Sequence, residues 1–332
     1  MKVLVTGGTG FIGTHLVKKL LDEKNEVRCL VRKDSKIENL KGVEFFVGDI
    51  TEENSLKTIA DDVDIVYHLA SIVDHKKIIK SYKEHYNISV VGTENLVKKC
   101  LDSGIEKFVY ISSISAIGLK DRKELIDEGE ECRPNTLYGK AKRETEEMVL
   151  KYFNENKFPV SIVRPSVIYG EGDSKGSIFS LIRFVKNRSK KNQPYPFFSQ
   201  GKNIISLCYV KNLVKGFSIV GDVGKIGEIY HIADARHYTI KETVETIADV
   251  LGRNLKEITI PKSFIWMGGL FFQPFKMLGL NPPLDLSKYL EMTASSAFNI
   301  SKIRELGYNP EDNFRKNIES TISWCKENKL ID

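Results

Sequence analysis

The stretch that most restricts what this chain can become is TGGTGFIG, residues 6–13. It follows directly on the β-branched run KVLVTG (2–7). It leads into THLVKKLLDE (14–23), where Leu16, Leu20 and Leu21 share one helical face with lysines opposite. Four glycines within seven residues, set between a strand and a helix, do more than turn the chain. Without a Cβ the backbone bends tightly and lets a ligand come close, while the helix start offers free N–H groups and the positive end of its dipole. A cradle of that kind suits the pyrophosphate of a dinucleotide.

The rest of the first half extends the same alternation. VRCLVR (27–32), VEFFVGD (43–49), DIVYHLA (64–70), KFVYISS (107–113) and VSIVRP (160–165) read as strands, with helices expected near 52–60 and over 76–102. The strands are nearly unbroken apolar runs, the pattern of a parallel sheet covered by helices on both faces. The prediction is an α/β fold, a doubly wound parallel sheet of the Rossmann kind, over residues 1–165. Beyond it the regularity weakens. Residues 166–332 are expected to form a smaller, partly interleaved substrate lobe, with some segments returning to the sheet. Within that lobe FIWMGGLFFQPFKMLGL (264–280) is broken by Gln273, Pro274 and Lys276, and falls short of the roughly 18 uninterrupted apolar residues of a membrane span. It reads as a buried helix pair, with peripheral membrane contact as the other reading.

Composition narrows the partners. A chain of 332 residues with 41% hydrophobic and 28% charged residues has the balance of a soluble globular protein. Its net charge of +6 contains no block of like charges, which points away from nucleic acid and toward a small-molecule, anionic ligand. Five scattered cysteines with no C-x-x-C speak for a reducing, cytoplasmic setting. Six histidines without a paired spacing speak against a metal site.

The end of the second strand bears on which dinucleotide is held. An acid about 20 residues beyond the glycines ordinarily takes the ribose 2′-hydroxyl of NAD. Leu30-Val31-Arg32-Lys33 stands there instead, with no acid before Asp34. Arg32 is suited to pair bidentately with a 2′-phosphate, so NADP(H) is favoured over NAD(H). Of the 13 tyrosines, only Tyr138 has a lysine four residues on, Lys142 in LYGKAK (137–142). That spacing sets both side chains on one helical face. There an ammonium stabilises phenolate and is expected to draw the tyrosine pKa down from about 10 toward neutrality.

In order along the chain stand TGGTGFIG, GDI (48–50), HLA (68–70), VYISS (109–113), YGKAK (138–142), RPSVIYG (164–170) and YVKNLV (209–214). With these the chain resembles, over nearly its whole length, the extended short-chain dehydrogenase/reductase family, also called the NAD-dependent epimerase/dehydratase family. The resemblance implies a catalytic set of Ser113, Tyr138 and Lys142, with Ser113 hydrogen-bonding the substrate oxygen where charge develops. It implies that Gly7, Gly10 and Gly13, with Phe11 and Ile12 in the same loop, wrap the pyrophosphate, and that Asp49 and Ile50 contact the adenine. Leu69, Ala70 and Ser71 are then expected to line the cofactor, Pro165 to lie near the nicotinamide amide, and Lys142 also to hold the nicotinamide ribose. A homodimer is implied as well.

Departures from the family pattern bear on substrate. Its sugar-nucleotide dehydratases follow the catalytic threonine with an Asp-Glu pair; here Ile114-Ser115 follows Ser113, which disfavours elimination. Many nucleotide-sugar epimerases carry an arginine shortly before the motif seen here as Tyr209-Val210, to grip the diphosphate; Asn203-Ile204-Ile205-Ser206 offers none. The usual asparagine three residues before Gly92-Thr93 is replaced by Ser89, with Asn87 nearby. GKNIISLCYVKNLV (201–214) is more similar to the 3β-hydroxysteroid dehydrogenase and dihydroflavonol reductase branch, whose members act on apolar alcohols and ketones. The expectation is an oxidoreductase interconverting a secondary alcohol and a ketone on a sterol-, isoprenoid- or flavonol-like substrate. The alternative is a nucleotide-sugar 4-epimerase with tightly bound NAD.

Overall fold

The computed structural model of the chain describes residues 1–38, 40–71, 82–119, 121–122, 124–277, 289 and 293–331. Its first six strands are β1 (Lys2–Thr6), β2 (Glu26–Val31), β3 (Glu44–Val47), β4 (Ile65–His68), β5 (Lys107–Ile111) and β6 (Val160–Pro165). Four short strands follow, β7 (Val167–Tyr169), β8 (Tyr195–Phe198), β9 (Ile204–Ile205) and β10 (Leu207–Tyr209). Then β11 (Ile229–Ile232) returns to the main sheet, and β12 (Tyr238–Thr239) and β13 (Glu257–Ile260) complete the small pairs. The main sheet has seven strands in the order β11-β6-β5-β4-β1-β2-β3, every neighbour parallel. Its order reverses between β1 and β4, so a ligand crevice opens where their C-terminal ends part.

The helices among the described residues are α1 (Phe11–Asp22), α2 (Tyr82–Tyr86), α3 (Gly92–Ser103), α4 (Leu137–Asn156), α5 (Ser177–Lys190), α6 (Val210–Val223), α7 (Ile240–Val250), α8 (Lys262–Met277), α9 (Ser301–Arg304) and α10 (Phe314–Glu327). Helices α1 and α6 pack on one face of the main sheet and α3 and α4 on the other. Alternate residues of β1 face opposite layers: Val3 and Val5 pack with Leu16, Val17 and Leu20 of α1, while Leu4 packs with Leu96 and Val97 of α3. This two-sided burial is why the strands read as unbroken apolar runs. A second core joins Tyr195, Phe197, Val244, Ile247 and Ile318 in the other lobe.

Three elements differ from expectation. The helix near 52–60 is only a 3-10 turn, Glu53–Leu56. The helix expected over 76–102 enters the described residues at Tyr82, its first residues lying outside them, and is broken by a π turn, Asn87–Val91. The 264–280 stretch is not a buried pair over its described part. It lies in α8, whose Phe264, Trp266, Met267, Leu270, Phe271 and Phe275 are all exposed; residues 278–280 lie outside the described ones. An apolar helix resting on one side leaves its other apolar side in solvent. No described helix is long and apolar enough to cross a membrane.

Candidate active site

The glycine loop is built from backbone contacts too close for a side chain. Gly7 has φ +74°, and a Cβ there would lie 3.0 Å from both Leu69 C and Ala70 N. At Gly13 a Cβ would stand 2.1 Å from the Gly7 carbonyl oxygen. Gly10 donates its N–H to that same oxygen at 3.1 Å and forms the N-cap of α1. No side chain caps α1 and no acid stands in its first turn, so the helix start around Phe11 and Ile12 keeps its N–H groups and positive dipole end for an anion. The loop fits a dinucleotide pyrophosphate by shape and by charge.

Beneath the loop a buried polar chain locks β1 to β4. Ala70 N–H donates to Thr6 Oγ1 at 3.1 Å, Thr6 Oγ1 lies 2.7 Å from His68 Nδ1, and His68 Nε2 lies 2.8 Å from Thr93 Oγ1. Thr93 Oγ1 in turn donates to the Ser89 carbonyl. With both ends fixed, Thr6 donates to Nδ1 and the proton of His68 sits on Nε2, so the ring is assigned as neutral. Burial, aided by nearby Lys142, holds the His68 pKa down to about 3, in keeping with that tautomer. Thr6, His68 and Thr93 escaped the sequence reading as site residues, although HLA at 68–70 marked the place.

Across the crevice β5 ends at Ser112-Ser113. Ser113 Oγ accepts from Ser115 N–H at 3.1 Å and lies 3.2 Å from Ser115 Oγ, closing a short 3-10 turn, Ile114–Ala116. Helix α4 comes against this turn through Gly139, where a Cβ would stand 2.2 Å from the Ser115 carbonyl oxygen. Thr136 starts α4, its Oγ1 accepting from Gly139 N–H at 3.0 Å. This close approach puts Tyr138 beside Ser113, and Gly139 joins Thr6, His68 and Thr93 as a residue whose part the sequence pattern does not single out.

Lys142 is buried. Its Nζ donates to the Ile111 carbonyl at 2.6 Å and lies 4.9 Å from the ring centre of Tyr110 and 5.9 Å from that of Tyr138. Burial lowers the Lys142 pKa to about 7, against the pull of Glu146. Burial likewise pushes the half-buried Tyr138 phenol up to about 12, opposed by a hydrogen bond with Ser113. The expected drop in the tyrosine pKa is therefore reversed among the chain's own groups. Lys142 spends its ammonium on the Ile111 carbonyl, and desolvation of the phenolate outweighs the hydrogen bond that favours it.

The remaining expected residues are placed around this centre. Pro165 ends β6, buried and paired in register with Ile232; Ser71 follows β4 with its Oγ buried and unpartnered among the described residues. Arg32 follows β2, exposed and only loosely paired with Asp34 at 3.8 Å. The Asp49 carboxylate accepts from Thr51 N–H and Thr51 Oγ1 at 2.8 and 2.7 Å. Ile50 packs on Gly92, and its carbonyl accepts from Asn95 at 2.9 Å. Behind Pro165 the buried Arg164 forks onto Glu146 at 2.8 and 2.7 Å, bracing β6 against α4. Ser89 is buried in the π turn with its hydroxyl unpartnered among the described residues, whereas Asn87 is exposed.

On the substrate side, β9 runs beside residues 295–296: Ile204 N–H donates to Ser295 Oγ at 3.1 Å, and Ser296 N–H donates to the Ile204 carbonyl at 2.8 Å. Phe298 bridges to Ile126, which ties β9 to the segment following the serine turn. The chain carries no arginine from 189 to 235 or from 254 to 303. Cavities of about 470 and 510 Å³ lie elsewhere, one between Phe197, Lys241 and Glu257, the other along the flank of α1 at Thr14 and Lys18. Both are open surface clefts without Tyr138 or Ser113, and the convergence of donors at the crevice weighs more than their size. Among the described residues no three His, Cys, Asp or Glu side chains gather to hold a metal ion.

The model of the NAD dependent epimerase/dehydratase family matches residues 3–233, which hold the glycine loop, Ser113, Tyr138 and Lys142. The chain belongs to that family. Its curated relatives there differ in activity. A UDP-glucose 4-epimerase of Vibrio cholerae is 30% identical, covering 96% of this chain and 94% of its own. A 3-beta-hydroxysteroid dehydrogenase of Mycolicibacterium neoaurum is 29% identical, covering 93% and 87%. Among solved structures, the UDP-glucose 4-epimerase of Thermus thermophilus in complex with NAD superposes with a TM-score of 0.76 at 23% identity, over 98% of this chain and 99% of that one. That likeness establishes the shared Rossmann architecture of the family.

Proposed function

We propose that this member of the epimerase/dehydratase family is an NADP(H)-dependent oxidoreductase interconverting a secondary alcohol and a ketone on an apolar substrate. The observation that carries the reading is the placement of Tyr138 beside Ser113, hydrogen-bonded with it, where burial favours the protonated phenol. Uncharged residues, Ile114-Ser115 and Ile204-Ile205, stand where sugar-nucleotide enzymes of the family place charge. A nicotinamide dinucleotide held by the Gly7–Gly13 loop would supply or take up the hydride. Tyr138, protonated at neutral pH, gives its proton to the carbonyl oxygen as the ketone is reduced, and recovers it in the reverse direction. Ser113 Oγ donates a hydrogen bond to that oxygen as charge builds on it. Lys142, titrating near 7, is matched to passing protons at physiological pH.

Replacing Tyr138 with Phe is expected to lower kcat by about 10²- to 10⁴-fold while leaving NADPH affinity unchanged. Unaltered turnover of the true substrate would sink the assignment. A second reading, nucleotide-sugar 4-epimerisation, is favoured by the 30% identity with the Vibrio cholerae epimerase. The two part on one observation. An epimerase purifies with tightly held NAD and needs no added cofactor, whereas the reductase consumes added NADPH with a panel of ketones.

A further inference from the structure

Helix α8 presents its large apolar side chains outward. Phe264, Met267, Phe271 and Phe275 recur at spacings of three, four and four along one side, and Trp266 and Leu270 stand on the next. Phe264 and Phe271 are 68% and 67% exposed. Gly269, which has no side chain, is the buried residue among those of the helix whose burial is described. Exposure of this kind, six large residues on one element, exceeds the scattered apolar residues of ordinary surfaces. Ile258 of β13, half exposed, extends the patch in the preceding strand.

Charge says what covers it. From 253 to 276 the chain has four basic residues, Arg253, Lys256, Lys262 and Lys276, against one acid, Glu257, which is itself paired with Lys241 at 2.6 Å. A helix of 16 residues is about 24 Å long, shorter than a bilayer core and suited to lie along its surface. Aromatic residues and Met on one side, a Trp, and flanking lysines are the pattern of a helix resting at a lipid–water boundary. We infer that α8 docks this protein on an anionic lipid surface, its aromatic stripe set among the acyl chains. Lys262 at the start of α8 pairs with Asp121 at 3.4 Å, and Asp121 also accepts from Ser295 N–H at 3.0 Å, which links the start of the helix to the segment that follows the Ser113 turn. This inference stands apart from the proposed reaction, because vesicle binding is read without turnover.

The test uses the full chain carrying Trp324→Phe, which leaves Trp266 as the one tryptophan of the chain's two. Vesicles of phosphatidylcholine alone are compared with vesicles that also contain phosphatidylglycerol. The expected result is a blue shift of Trp266 emission and co-flotation with the anionic vesicles, both weaker with phosphatidylcholine alone. Combining Phe264→Gln with Phe271→Gln is expected to weaken partition roughly 100-fold, with thermal unfolding unchanged, and Lys256→Glu to reduce the preference for phosphatidylglycerol. Failure to bind either vesicle, or flotation of the double variant like the parent, overturns the inference. So does a dimer in light scattering that the double variant dissociates while no vesicle is bound, since the face is then a contact between copies.

Discussion

The crevice between β1 and β4 and the surface of α8 are built by opposite means. At the crevice, backbone meets backbone: Gly7 against Leu69 and Ala70, Gly13 against the Gly7 carbonyl, Gly139 against the Ser115 carbonyl. The polar atoms among them are chained from Ala70 through Thr6, His68 and Thr93 to Ser89. At α8 six large apolar side chains face out. The first construction holds groups to a geometry that any hydride-transfer chemistry of this family needs. The second leaves large apolar side chains open to solvent. Position in the crevice is therefore set by steric closure, and choice of partner by what side chains are left unpaired.

Breaking the closure should have the largest effect. Gly13→Ala places a Cβ where no rotamer relieves the overlap, and is expected to weaken dinucleotide binding at least about 100-fold, near 3 kcal/mol, by titration calorimetry. Gly129→Ala is the control, since a Cβ there meets nothing within 4 Å; it should change dinucleotide binding by no more than about 0.5 kcal/mol in the same titration. Similar losses in both would mean that the loop is not specially tight. Thr6→Val tests the polar chain. It keeps the shape of the side chain but leaves the Ala70 N–H and His68 Nδ1 without their partner, an expected cost of about 2–4 kcal/mol in urea unfolding. Thr6→Ser, retaining the hydroxyl, should cost clearly less, and equal losses would remove the chain from the account.

Lys142 sharpens the same contrast through pH. Its folded pKa lies near 7, below the ordinary 10.5, so the unfolded chain binds the extra proton between those values. Its contribution to stability therefore rises with pH across that window, by up to about 1.4 kcal/mol per unit, and is lost as pH falls toward 7. Unfolding of the parent and of Lys142→Met, compared from pH 7 to 10 without added dinucleotide, should show their stability difference growing in the parent's favour. A flat difference would mean that burial does not depress this ammonium.

How much of this could be read in the sequence follows the same division. The glycine loop was legible because the requirement is local: four glycines between a strand and a helix announce a backbone that must turn and be approached. Tyr138 and Lys142 were legible from one helical turn. The Thr6–His68–Thr93 chain was not, because its members are 62 and 25 residues apart and meet only through the β1–β4 register. The tyrosine pKa went the wrong way because burial and the Ile111 carbonyl are tertiary facts. The 264–280 stretch leaves a buried helix pair and peripheral membrane contact both open, because an apolar run has the same letters whether it is covered or bare. Ile204 and Ile205 could be noticed in sequence, yet only their place beside residues 295–296 ties them to the segment after Ser113.

Arg32 is where the two constructions meet: it lies at the rim of the crevice, yet it is an exposed side chain with no backbone closure around it. Its link to Asp34 at 3.8 Å is loose and wet, so the guanidinium is free to turn to a 2′-phosphate at little cost. For the same reason the gain is modest, since water competes for both partners. Arg32→Ala is expected to raise the Kd for NADPH about tenfold, near 1.4 kcal/mol, while changing that for NADH by less than about threefold. Higher salt should narrow the NADPH effect, because an exposed ion pair is screened. Equal weakening of both dinucleotides would show that Arg32 supports the strand end rather than reading the phosphate, and would remove the ground for favouring NADP(H) over NAD(H).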